Sequence, residues 1–348
     1  MFRQWYWVFA RLTGGAGLLL AMLLMQAAMA PAAAAGSAVV LIYHRFGEDR
    51  YPQTNIRIEQ FEAHIAELTS GAYNVVGLPR IVAALKAGAP LPDRTIAITI
   101  DDAYRSVYET AFPRLRAAGL PFTLFISTGP VDAGQRGYMT WDQLREMAAH
   151  GATIGNHTAS HNHMLTTDES GNAKEIAVAG RRIERELGAP ATLFAYPFGE
   201  YSTQLRTLVE ARKFDGAVAQ FSGVAHAGSD ILALPRFALN EKYGEIGRFR
   251  LIVNALPIPV TDVAPTDPLL GTNPPAFGFS LSEPISGLGA LACFPSHMSE
   301  PARIERLGKY RFEVRFDEPF PKGRSRINCT MPGHDGRWRW LGAAFFVG

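Results

Sequence analysis

The chain has 348 residues, 47% of them hydrophobic and 19% charged, the composition of a globular protein with a full core and long enough for one large domain and a small one. Its formal net charge is +2, and the surplus cations Arg3 and Arg11 both lie in residues 1–35, which contain no acid, so the rest carries 32 basic against 32 acidic side chains. That balance offers no electrostatic footprint for nucleic acid or for an anionic membrane.

Residues 1–35 read as a secretory signal peptide. Arg3 and Arg11 supply the positive start, 17–25 is a short apolar run, and Ala28-Met29-Ala30 or Ala33-Ala34-Ala35 offers a small-residue cleavage site. An uncleaved membrane anchor over 5–25 is the competing reading, and the shortness of the apolar core favours cleavage. The mature chain is then expected in the periplasm or secreted. Its two cysteines, Cys293 and Cys329, suit one disulfide in that compartment.

After the signal, 38–43 reads as a buried strand ending at His44-Arg45. Residues 57–70 place Ile58, Phe61, Ile65 and Leu68 at helical spacing. A short strand at 74–76 and a short helix at 79–86 lead to the β-branched run 95–100, which ends in Asp101-Asp102. A helix over 106–118, a strand over 122–127 and a Gly/Pro loop follow. Thr140 is placed to cap a helix reaching His150, and a strand at 152–155 delivers His157. Then come a charged helix (172–187), a strand (192–196) with the loop Pro197-Phe198-Gly199, a helix (202–213), strands at 217–219 and 232–237, and a helix at 241–254. Strand and helix alternate throughout, which predicts an α/β fold with about seven parallel βα units closed into a distorted barrel. Asp101, Asp102, His157, Pro197 and Arg236 all fall at or just past strand C-termini, the catalytic face of such a barrel.

Near Pro257 the composition changes. Residues 257–275 are proline-rich and read as a linker. Beyond it, 276–280, 311–316 and 325–330 alternate with the two-residue period of half-buried strands, which predicts a small all-β, sandwich-like domain over 276–348. The barrel is assigned to 36–256.

Two adjacent carboxylates at the end of a buried strand resist joint ionisation unless positive charge sits beside them. A metal ion is the simplest partner, and nitrogen ligands are on offer in His157-Thr158-Ala159-Ser160-His161. Read singly, Asp101-Asp102 also fits a helix N-cap, and His157 and His161 also fit ordinary loop histidines. Together, Thr99-Ile100-Asp101-Asp102, His157 to His161 and Ala195-Tyr196-Pro197-Phe198-Gly199 resemble the first three motifs of the polysaccharide deacetylases (carbohydrate esterase family 4, the NodB-homology domain) over roughly 38–240. The opening Val39 to Arg45 is most similar to the branch acting on exported poly-N-acetylglucosamine.

The resemblance implies a metal-dependent hydrolase that removes N-acetyl groups from amino sugars of an extracellular or cell-wall polysaccharide. Asp102, His157 and His161 would hold a divalent metal, zinc first among them. Asp101 would be the general base and the Phe198 backbone N–H an oxyanion donor. Two positions depart from the family. Its third motif usually opens with an Arg that pairs with the base; here Ala195 stands there, and Arg236 is the candidate substitute. Its late Leu-x-His acid has no clear counterpart, and His44 is preferred to His226 for that role. A fourth motif is echoed at most by Phe214-Asp215-Gly216. An O-acetyl polysaccharide esterase and a glycan-binding protein without turnover are the alternatives. The expected partners are the acetylated polysaccharide and, through the C-terminal domain, an export or cell-envelope component. Trp141, Tyr104 and Trp338-Arg339-Trp340 fit packing at least as well as sugar stacking.

Overall fold

In a computed structural model, which describes residues 36–348, the strand Ser37–Tyr43 is buried along almost its whole length, as a parallel strand covered on both faces must be. It lies parallel to Thr95–Asp101, with Tyr43 opposite Ile100. The sheet then continues in parallel through Phe122–Ile126, Thr153–Asn156, Leu193–Ala195 and Gly216–Val218. The segment around Arg236 touches both free edges of this sheet. Leu234 bridges Val218 on one side, and Phe237–Ala238 pairs with Leu41 and Ile42 on the other. The sheet is thereby curled into a distorted barrel with the C-termini of its parallel strands at one end; among its described strands only the short Ala225–His226 runs antiparallel. The signal-peptide reading falls on residues outside those described. Among the described residues no helix is long and apolar enough to cross a membrane.

Four expected elements differ, each for a local reason. Residues 232–237 do not form one strand, because Pro235 has no N–H for a ladder and the Arg236 N–H turns to the Phe221 carbonyl at 2.8 Å. The helix expected over 106–118 widens into π-type turns at Val107–Ala111 and is α-helical again at Phe112–Ala117. Pro113, with no N–H for the preceding turn, sits at that junction. The helix expected over 241–254 is confined to Ile246–Val253. Residues ahead of it form a loop anchored where Gly244 packs so closely that a Cβ there would lie 2.2 Å from Ile56 Cδ1. The Gly/Pro loop after 127 contains a helical turn, Thr128–Asp132.

The proline-rich stretch 257–275 is not a free linker. Leu256–Pro257 pairs with Trp338–Val347, and Val260–Ala264 pairs with Phe277–Leu281. Its prolines break the strands into short pieces, but the intervening Ile258 and Val260 are buried in the sandwich core. The C-terminal region is two four-stranded sheets with that core between them. Cys293 and Cys329 face each other across neighbouring strands and are disulfide-bonded.

This region is fastened to the barrel. Trp340 packs edge-on against Phe237 with centroids 5.1 Å apart, and its Nε1–H donates to Asn328 at 3.0 Å. Arg337 donates to both Asp93 carboxylate oxygens, at 2.8 and 3.0 Å. Gly342 meets the Ser222 carbonyl so closely that only a residue without a Cβ fits. Trp340 is thus a packing residue, as is Trp141, buried with its Nε1–H on Asp132 at 2.8 Å.

Candidate active site

The strand Thr95–Asp101 carries its last residue, Asp101, into the barrel mouth, where the chain must reverse at once. Asp102 and Ala103 take left-handed backbone angles, φ 78° and 54°, to do so. Thr158 and His161 in the second motif and Phe198 in the third are left-handed as well, at 64°, 55° and 57°. Non-glycine residues reach that region only at a cost, and such outliers concentrate where function demands a particular geometry. All three motifs therefore store strain at one end of one barrel.

Asp102, His157 and His161 come together with their donor atoms within 4.8 Å of one another. His157 Nε2 lies 3.4 Å and His161 Nε2 3.2 Å from Asp102 Oδ1. The orientation of His157 is fixed from behind: its Nδ1–H donates to the Ala195 carbonyl at 2.7 Å, which leaves the Nε2 lone pair facing Asp102. The loop between the histidines is held by Glu175, whose carboxylate accepts the N–H groups of Ala159 and Ser160 at 3.1 and 2.7 Å. Ser127 Oγ donates to the His157 carbonyl at 2.8 Å.

Asp102 Oδ1 is buried and has no hydrogen-bond donor of its own, a costly arrangement for an ionised oxygen. Electrostatics point the same way. Burial opposes ionisation of Asp102, yet the His157 contact and the charges of His44, His157 and His161 hold its carboxyl well below the ordinary range. Burial would lower His157, but the closeness of Asp102 and both aspartate charges raise it. Burial, then the neighbouring His157 charge, brings His161 down to about 4, so its ring is neutral at physiological pH. An orphaned carboxylate oxygen between two imidazole nitrogens fits a divalent metal, with one oxygen and two nitrogen ligands and room for more.

Asp101 is 2% exposed, with Oδ2 4.0 Å from His157 Nε2 and both oxygens turned to Arg236. The guanidinium, itself 1% exposed, grips both carboxylate oxygens at 2.8 Å. Arg236 is oriented in turn by Thr99 Oγ1 at 3.1 Å and the Ala219 carbonyl at 2.9 Å. Burial pushes Asp101 up, but the Arg236 charge, with His157 and the Arg236 hydrogen bonds, carries it below the ordinary carboxylate value. Asp101 is thus ionised and held rigidly beside the trio. Ala195 lies on the strand Leu193–Ala195 with no side chain to offer, and Arg236 reaches Asp101 from the neighbouring segment instead.

Phe198 sits in a tight turn closed by Gly199 N–H to the Tyr196 carbonyl at 2.8 Å. Gly199, at φ 70°, is pressed onto Gln220, and a Cβ there would lie 2.1 Å from Gln220 Cβ. The Phe198 ring meets His161 edge-on at 4.4 Å and stacks on His163 at 3.9 Å. His163 is outside the trio and bonds Glu200 at 2.9 Å. His44 lines the same cleft of about 670 Å³ as the aspartates, and burial lowers its pKa despite Asp102 and Asp101 beside it. Tyr104 lines it too, under the Arg45 guanidinium at 3.4 Å.

Two residues considered from the sequence lie elsewhere. His226 lines a separate cavity between barrel and sandwich. Asp215, the echo of a fourth motif, precedes the strand Gly216–Val218 and so sits at the opposite end of the barrel, paired with Lys86 at 3.2 Å. Arg324, Arg326 and Tyr243 also line the cleft. The two arginines stand on a sandwich strand, where period-two polarity marks only a residue facing off the core, so nothing in the sequence set them apart.

Residues 88–217 match the family model described as "Polysaccharide deacetylase". The chain is 24% identical over 197 residues to YxkH of Bacillus subtilis (strain 168), whose name places it among polysaccharide deacetylases; the match covers 57% of this chain and 69% of that protein. It is 24% identical over 157 residues to the poly-beta-1,6-N-acetyl-D-glucosamine N-deacetylase of Escherichia coli (strain K12), covering 40% of this chain but only 23% of that one. The chain thus spans about a quarter of that relative's length. Among solved structures, the Streptococcus pyogenes deacetylase PplD in complex with acetate superposes with a TM-score of 0.57 at 19% identity, over 60% of this chain and 95% of that one, a likeness of fold.

Proposed function

From the premise that this chain carries a polysaccharide deacetylase domain, we propose that it hydrolyses N-acetyl groups on amino sugars of an extracellular or cell-wall polysaccharide. The observation that carries this reading is the pairing of two differently treated carboxylates, Asp102 orphaned between two imidazoles and Asp101 clamped by a buried arginine. Asp102, His157 and His161 would hold a divalent metal, zinc being the expected one. When bound, such a metal polarises a carbonyl oxygen and makes a water acidic near neutral pH.

The chain's own residues supply the rest. Asp101, kept ionised by Arg236, takes the proton of the attacking water as general base. Water oxygen bonds to the acetyl carbon, and the Phe198 backbone N–H donates to the oxyanion that forms, a contribution of ~3 kcal/mol for one such donor. The C–N bond then breaks as the sugar nitrogen takes a proton from His44, and acetate and a free amine leave. His44 rests neutral because burial lowers its pKa, so it would first receive the proton that Asp101 took from the water. The Phe198 contribution runs through its backbone and not its ring.

Action outside the cytoplasm follows from residues 1–35 as a signal peptide and fits the Cys293–Cys329 disulfide. The sandwich would be the surface that meets an export or envelope component. The reading is tested by acetate release from N-acetylglucosamine oligomers against O-acetylated ones, with zinc and with chelator. Release from the amide, abolished by chelator and restored by zinc, is expected. Release from the ester alone would replace this reading with an O-acetyl esterase.

A further inference from the structure

One wall of the catalytic cleft comes from outside the barrel. The sandwich strand Gly323–Pro332 brings Arg324 and Arg326 to the cleft. Two residues apart on a strand, they project on the same side. Arg324 Nη1 donates to the Phe198 carbonyl and, at 2.8 Å, to Gln220 Oε1. Arg326 Nε donates to the Gln220 carbonyl at 3.1 Å.

These bonds anchor both guanidiniums yet use one nitrogen of each. Arg324 Nε and Nη2 and both Nη atoms of Arg326 have no acceptor among the described residues. The acids of the cleft are already engaged. Asp101 is held by Arg236 and Asp102 belongs to the metal trio, while Glu241 accepts from Asn55 at 2.7 Å. Glu200, whose charge reaches Arg324, bonds His163. A third cation, Lys242, lines the same cleft. Burial, then the Arg324 charge, brings Arg326 down to about 10, which leaves it cationic at neutral pH but shows two like charges held in proximity.

Two guanidiniums held close, with Glu200 as the one nearby acid and that acid shared with His163, leave charge for a further anion to offset. Neutral sugar hydroxyls do not discharge two guanidiniums. A carboxylate or phosphate does, through the paired N–H donors of the arginine fork. We infer that Arg324 and Arg326 form a subsite for an anionic group, a carboxylate or a phosphate, carried on a sugar unit neighbouring the N-acetylated one. This rests on the deacetylase reading for the unit at the metal trio. It makes the natural substrate an acidic N-acetylated polysaccharide, and it makes the sandwich part of the substrate site.

Equilibrium binding by titration calorimetry tests this without turnover. Purified residues 36–348 are titrated with three probes: neutral N-acetylglucosamine oligomers, hyaluronan oligosaccharides carrying carboxylates, and oligomers of N-acetylglucosamine joined through phosphodiesters. At least one anionic probe should bind about tenfold or more tightly than the neutral one, with the gap shrinking as salt is added. Which of the two binds identifies the anion. Arg326→Gln should close most of the gap, and Arg326→Lys, which keeps the charge but not the fork, should restore part of it. Equal or tighter binding of the neutral probe, or a gap untouched by Arg326→Gln, overturns the proposal. Acetate release measured alongside separates the two readings: anion-selective binding without release from any probe would sink the deacetylase assignment and leave the subsite standing.

Discussion

The floor and the sandwich wall of the cleft treat charge in opposite ways. On the floor Asp101 and Arg236 are almost fully buried and mutually saturated, two bonds at 2.8 Å with the remaining donors on Thr99 and Ala219. On the wall Arg324 and Arg326 are anchored through Gln220 and keep most of their donors unspent. A saturated pair holds one geometry whether or not substrate is present, as a general base must. An unsaturated pair takes its partner from solution, as a recognition surface must. On the proposed reading, the chemistry falls to the barrel and the choice of polymer to the sandwich.

The largest effects should come from breaking the floor. Arg236→Ala leaves Asp101 buried and unpaired, which should cost about 3–5 kcal/mol of stability and, by loosening the base, lower acetate release by at least about a hundredfold. Denaturant unfolding and turnover measured on one preparation check both. Full turnover in a folded Arg236→Ala protein would dissolve the contrast between floor and wall.

A smaller effect concerns a third way of handling burial, remaining neutral. His64 is fully buried, stacked on Phe249 at 3.8 Å, with Nε2–H donating to the Gly244 carbonyl at 2.7 Å and Nδ1 accepting from the Tyr43 hydroxyl at 3.0 Å. Burial brings its pKa from 6.5 down to about 4. Between those values the unfolded chain binds a proton that the folded one refuses, so stability is complete above pH 6.5 and falls as pH drops toward 4. The loss is at most about 3 kcal/mol at ~1.4 kcal/mol per pKa unit. His64→Gln should remove that dependence from the unfolding curve, and an unchanged slope would show that His64 is not its source.

Much of the barrel was legible because buried parallel strands are written as apolar runs, and the run before Asp101 is unmistakable in that respect. The trio of Asp102, His157 and His161 and the neighbouring Asp101 were legible because three short motifs fall at strand ends. Arg236 could be proposed from its place after a late strand, although only folding brings it to the position that Ala195 leaves empty. What escaped was set by contacts distant in sequence. The long strand Trp338–Val347 passes through Gly342-Ala343-Ala344, where small residues that let it approach Ser222 erase the alternation a strand would show. Val260–Ala264 was hidden among prolines. Arg324 and Arg326 look like any solvent-facing strand residues until Gln220 and Phe198 are placed beside them.

The most direct test of the account is a comparison of Asp101→Asn with the unaltered protein, with bound zinc and acetate release measured on the same samples. Asp101 stands outside the trio of Asp102, His157 and His161, so the variant should retain its zinc while release falls by about a hundredfold or more. Zinc retained together with undiminished release would contradict Asp101 as the base.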